Sequence, residues 1–213
     1  MSKFKNYTVE DFIAEAASDS PAPGGGSVAA LVAALGAALG EMVYNLTKDK
    51  KSFAELSEEN KTAVKADYTA LSTLHAELVD LIDEDTVAFN TFMDALRLPK
   101  ETEEEIAVRK EAMANAAIVS MQVPLDTAGK SLQILKHMGS LARYGNKNCI
   151  SDAGVGAYLA RASVESAVMN VRINIPSVKD EEIARQAEKS CEKYLEEAET
   201  LCEEIVKEVY QKI

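Results

Sequence analysis

The sequence has no tryptophan, only two histidines, three cysteines and five prolines, and just 6% of it is aromatic. Each scarcity excludes a class of protein. His75 and His137 fall on separate segments, and neither belongs to a Glu-x-x-His or His-Glu-x-x-His pattern, so a di-iron bundle or zinc hydrolase is excluded and no metal is expected. Cys149, Cys191 and Cys202 are odd in number and lack a Cys-x-x-Cys spacing. They form neither a disulfide framework nor a cysteine zinc site, and they point to a reducing compartment. No apolar leader follows Met1-Ser2-Lys3-Phe4-Lys5, so a cytoplasmic location is expected. Positive charge is scarce too. With 23 Lys and Arg against 35 Asp and Glu the net charge is -12, and the basic footprint of a nucleic-acid binder is missing. There is no sustained period-two run and no Asn-Gly hairpin signal, so no strand is predicted.

What remains is a chain of 213 residues with a 47% hydrophobic content, enough for one domain, 1–213, with a real core. Its periodicity is helical nearly throughout and predicts an all-α bundle. Thr8-x-x-Asp11 starts a short first helix. Pro21-Ala22-Pro23-Gly24-Gly25-Gly26 forces a loop, with Ser27 as N-cap of a second helix over about Val28 to Lys48. That helix opens with thirteen apolar residues, VAALVAALGAALG, which is short of the roughly 20 that span a membrane. It is predicted to be a core helix buried on every side. A third helix covers Ser57 to Arg97, with a break possible between Leu74 and Glu84. Thr102-x-x-Glu105 caps a fourth, which Pro124 should kink or split and Gly145 should end. Ser151 is the expected N-cap of a second Ala- and Gly-rich helix reaching Ile175, and Ser177-x-x-Asp180 opens the last one.

Charge is unevenly distributed. Between Thr127 and Lys179 seven bases face two acids, a local charge of +5, which leaves -17 on the rest of the chain. An enzyme for a small anionic substrate has this profile, and so does a protein whose acids merely solvate its outer helices.

Asp85 is the most informative single residue. It lies three residues after Ile82, seven after Leu78, four before Phe89 and seven before Phe92, which places it on the apolar face of its helix. Its neighbours Asp80, Asp83 and Glu84 belong to a face that looks solvated. A carboxylate on an apolar face needs a partner, a water or a function, and burial raises its pKa toward values useful for proton transfer. Gly24, Gly25, Gly26 and Ser27 offer the free amides of a helix start, where a carboxylate or phosphate is favoured. No Gly-Lys-Ser/Thr follows, so this is not a P-loop, and it is equally a tight turn that admits a buried helix. Asn148, Ser151 and Asp152 form a similar entry to the other small-residue helix; converging, the two would floor a pocket with amides. Asn170 and Asn174 share one helical face with Arg172 off it, and they either hold a heterocycle or cap another helix.

Taken together, Ser20-Pro21-Ala22-Pro23-Gly24-Gly25-Gly26-Ser27, Asp85-x-x-Ala88-Phe89, Gly145-Asn146-x-Asn148-x-x-Ser151-Asp152 and Asn170-Val171-x-x-Asn174 resemble the formiminotransferase-cyclodeaminase C-terminal family, over nearly the whole chain. The resemblance implies an all-helical homodimer acting on one-carbon derivatives of tetrahydrofolate, with no cofactor beyond that substrate. It implies Asp85 as the acid/base residue. Methenyltetrahydrofolate cyclohydrolase is the leading reaction, formiminotetrahydrofolate cyclodeaminase the alternative. A helical scaffold without chemistry is the reading from another class. On the enzyme reading, the positive stretch with Arg143, Lys147 and Arg172 would meet the glutamate tail, and the site is expected to be shared between subunits.

Overall fold

The computed structural model describes residues 3–213; Met1 and Ser2, the start of the segment read for a leader, lie outside the described residues. After a 3-10 turn at Phe4–Asn6 the helices are α1 (Val9–Ala16), α2 (Gly25–Asn45), α3 (Lys51–Ala54), α4 (Glu58–Arg97), α5 (Glu103–Tyr144), α6 (Ile150–Asn174) and α7 (Glu181–Tyr210), with a second 3-10 turn at Ile175–Ser177. No strand occurs among the described residues. The brief α3 has no marked signal in the sequence.

Three starts follow the local code as the sequence predicts. Thr8 accepts from the Asp11 amide, Ser57 from Asn60, and Thr102 and Glu105 complete a capping box. Other boundaries shift, for physical reasons. Asp180 rather than Ser177 caps α7, its carboxylate accepting the amides of Glu182 and Ile183. Cys149 rather than Ser151 is the N-cap of α6. The expected cap Ser27 lies inside α2, three residues past the true N-cap Gly24, which has no side chain to give. Neither long helix is interrupted: α4 runs unbroken through Leu74 to Glu84, and α5 continues through Pro124.

Five helices carry the architecture, in two layers. α2 and α6 lie side by side on a layer of α4, α5 and α7, with α2 packed on α4 and α5, and α6 on α5 and α7. Hydrogen bonds give the directions. Ser163 Oγ donates to the Ala29 carbonyl and Asn146 Nδ2 to that of Leu46, so α2 and α6 are antiparallel. Ser27 meets Asp85 while Tyr44 stacks on Tyr68, so α2 is antiparallel to α4 as well.

The glycines of the two small-residue helices have a specific use. A Cβ on Gly36 would sit 2.9 Å from the Gly156 carbonyl oxygen, and one on Gly156 would sit 2.9 Å from that of Gly36. The two backbones touch there with no room for a side chain. By length and composition α2 also passes for a membrane span, a point that the thirteen-residue apolar run had argued against. Its inner faces are buried in the core at Ala30, Ala33, Ala37 and Val43. The expectation of burial on every side fails, because Val28, Leu35 and Met42 are exposed at intervals of seven.

Gly36→Ala must push two backbones apart and should cost about 1–3 kcal/mol in urea denaturation. Gly139, in the interior of α5, has nothing within 4 Å of the place a Cβ would take, so Gly139→Ala should stabilise by up to about 1 kcal/mol.

Candidate active site

One pocket of about 370 Å³ opens where the start of α2, the second half of α4, the first half of α5 and the end of α6 meet. Its size suits a small organic ligand. Asp85 lines it together with Gly24, Gly25, Gly26, Asn170 and Asn174, so residues far apart in the chain converge there. The apolar wall comes from Phe89, Phe92, Met93 and Ala117, and Ser120, Ile173 and Ser177 complete the rim.

The chemistry centres on the start of α2. The first amides of a helix have no intrahelical partner, and glycine at the N-cap offers no side chain to receive them. Asp85 does so from across the interface: its Oδ2 accepts the Ser27 amide at 2.9 Å and lies 3.0 Å from Ser27 Oγ. Ser27 Oγ is also 2.9 Å from the Ile82 carbonyl oxygen. A hydroxyl has one proton, so this arrangement serves both states of the acid. An ionised Asp85 accepts from Ser27, whereas a protonated one donates to Ser27 Oγ while that hydroxyl donates to Ile82. Room for the carboxylate depends on Gly26, since a Cβ there would lie 2.1 Å from Asp85 Oδ1.

Burial pushes the Asp85 carboxyl above its usual range, and the Ser27 hydroxyl and amide bonds oppose the shift without cancelling it. The neighbouring Asp83 corrects the sequence reading. It is not a solvated residue: its Oδ2 is buried without a hydrogen-bond partner, and the Lys5 amide approaches Oδ1 at 3.4 Å. Asp80 pairs with the Lys5 ammonium.

Other candidate residues lie elsewhere. Arg172 is drawn onto α7, where Glu188 receives its guanidinium at 2.7 Å. Arg143, Lys147, Asn148, Ser151 and Asp152 cluster around the start of α6, and 25 residues of helix separate that end from Asn174, roughly 36 Å at the α-helical rise. The two helix entries therefore do not converge within one chain, because antiparallel packing sends them to opposite ends. No Lys or Arg lines the pocket. Among the described residues, no three His, Cys, Asp or Glu side chains come together as a metal cluster.

Because the folded state disfavours the charged form, Asp85 costs stability above its raised pKa, and that cost fades as pH falls through this value toward the unfolded one. Asp85→Asn should therefore raise Tm at neutral and alkaline pH, with a gain that vanishes in acid. A pH series of thermal melts on both proteins checks this.

Known proteins are similar to this chain in sequence and in fold. The family model described as formiminotransferase-cyclodeaminase matches residues 8–193. A methenyltetrahydrofolate cyclohydrolase of Methylorubrum extorquens is 36% identical over 208 residues, covering 98% of each chain. A formimidoyltransferase-cyclodeaminase of Gallus gallus is 37% identical over 187 residues, which are 88% of this chain and 34% of that longer one. In structure, a formiminotetrahydrofolate cyclodeaminase of Thermotoga maritima superposes with a TM-score of 0.83 at 27% identity, covering 97% of this chain and 98% of the other. The family model and the matches in sequence and fold agree: the chain belongs to the formiminotransferase-cyclodeaminase family.

Proposed function

We propose that the protein is a folate one-carbon enzyme that hydrolyses 5,10-methenyltetrahydrofolate to 10-formyltetrahydrofolate, with Asp85 as general acid/base. The observation that carries this reading is a carboxylate with a raised pKa, held by Ser27 in a pocket walled by Phe89 and Phe92. Of the two matches that run end to end in both chains, the Methylorubrum cyclohydrolase is the more similar, at 36% identity against 27% for the Thermotoga cyclodeaminase, which favours this reaction.

The step balances with one mobile proton on Asp85. Water adds to the methenyl carbon between N5 and N10 while Asp85 takes one of its protons. The tetrahedral carbon then releases N5, to which Asp85 returns that proton. The remaining hydroxyl proton leaves to solvent as the formyl C=O forms, so the cationic substrate and water give a neutral product and one proton. An acid whose two protonation states are both hydrogen-bonded suits a group that must take and return a proton.

Loss of the methenyl absorbance follows the reaction directly. Wild type should accelerate it over buffer, and Asp85→Asn should lower kcat at least about 100-fold. Gly26→Ala should lower it about 10- to 100-fold without unfolding the helix, since its Cβ displaces the carboxylate. The rate should fall as pH drops through the raised Asp85 pKa. Inactivity here together with ammonia release from formiminotetrahydrofolate would overturn the cyclohydrolase reading in favour of the cyclodeaminase.

We further propose a single-domain cytoplasmic protein that works as a homodimer over the outer face of α2 and α6. Val28, Leu35 and Met42 on α2 are exposed there beside Val155, Tyr158, Met169 and Ile173 on α6. This is an apolar surface on a chain of net charge -12, where two copies meet without opposing like charges. Light scattering should give about twice the chain mass, and Leu35→Glu should return the protein to monomer.

A further inference from the structure

Pro124 stands inside the unbroken helix α5. A proline has no N–H for the carbonyl four residues earlier, which here belongs to Ser120. That carbonyl finds another donor: Asn174 Nδ2, on α6, reaches it at 2.7 Å. One turn earlier on α6, Asn170 commits its own Nδ2 to the Ser166 carbonyl at 2.9 Å. Both asparagines line the pocket. An amide whose nitrogen is tied to the main chain carries its oxygen on the other branch, so Asn170 and Asn174, one turn apart, each bring a carbonyl oxygen to the α6 wall. No Lys or Arg lines the pocket, so those two oxygens are the acceptors this wall offers a ligand, beside one remaining N–H on each amide.

We propose that Pro124 is a positioning residue: by freeing the Ser120 carbonyl it fixes Asn174, and with Asn170 sets the α6 wall to read a ligand edge of adjacent N–H donors. A 2-aminopyrimidin-4-one ring has such an edge, in its exocyclic amine and the neighbouring ring N–H. The identity of the ligand rests on the proposed folate function, while the coupling of Pro124 to Asn174 does not. A site built to accept from a donor strongly rejects an analogue lacking it, because its own oxygens are then left unpaired.

Pro124→Ala restores an N–H that competes for the Ser120 carbonyl. It should raise KM about tenfold while kcat changes less than twofold, and Asn174→Ala should do the same. The two effects should not add: in the Asn174→Ala background, Pro124→Ala should leave KM unchanged. Wild type should bind a tetrahydrofolate analogue with methyl in place of the 2-amino group at least tenfold more weakly than tetrahydrofolate, and Asn174→Ala should erase most of that difference. Independent additive effects on KM, or undiminished binding of the 2-methyl analogue, would overturn the proposal. The device also has a readout without ligand. The Asn174 side-chain amide protons should exchange slowly in wild type and quickly in Pro124→Ala, and equal exchange in both would refute the coupling. If wild type binds no pteridine at all, the folate function and the ligand edge fall together, and the exchange rates still decide the Pro124–Asn174 link.

Discussion

The start of α2 is the constraint on which the site depends. Helix N-termini need an acceptor, and a glycine N-cap supplies none. Asp85 fills that place from α4, 58 residues further along the chain, and so joins two helices by a carboxylate that packing has partly withdrawn from water. Capping and burial pull its pKa in opposite directions, and burial prevails. The result is a poised acid rather than a plain structural cap. Several features of the pocket accommodate this pairing: Gly26 leaves room for the carboxylate, Ser27 serves both of its protonation states, and Phe89 and Phe92 of α4 with Ala117 of α5 keep that side apolar.

The same economy of side chains shapes the layers. α2 and α6 approach so closely at Gly36 and Gly156 that their backbones are in contact. This brings the last turns of α6, with Asn170 and Asn174, beside the glycines that open α2. A Cβ on Gly25 would lie 3.2 Å from Asn170 Nδ2, so glycine at that position also keeps the asparagine in its place. The outer faces of both helices carry exposed apolar residues, which explains why the composition of α2 looked suited to complete burial. Their inner faces pack on the rest of the chain, and their outer faces are those a second copy would cover.

Asp85 shows how far the sequence reaches. Its place on the stripe with Ile82, Phe89 and Phe92 marks it as a misplaced charge from the sequence alone, because helical periodicity is a local property. The same rule reads Asp83 as solvated, and it errs because the Lys5 segment covers that face; periodicity knows only the residue's own helix. The charge distribution is also visible in the sequence but not its destination. Arg172 finds Glu188, while Arg143 and Lys147 lie at the far end of α6, because helix direction and not sequence distance decides which ends meet. Ser120 and Met93 lack a marked signal, although a proline four residues after Ser120 does announce a carbonyl in need of a donor.

The sequence by itself determined the long helices, the caps at Thr8, Ser57 and Thr102, the two small-residue segments and the identity of the unusual acid. These follow from periodicity, capping and composition, which act within a few turns. Only the tertiary structure decided that Asp85 caps α2, that Asn174 answers Pro124, and that one of the two helix entries joins the pocket while the other lies a helix length away. Those are relations between distant segments, set by antiparallel packing and by the need of each buried polar group for a partner, and no local pattern encodes which partner it finds.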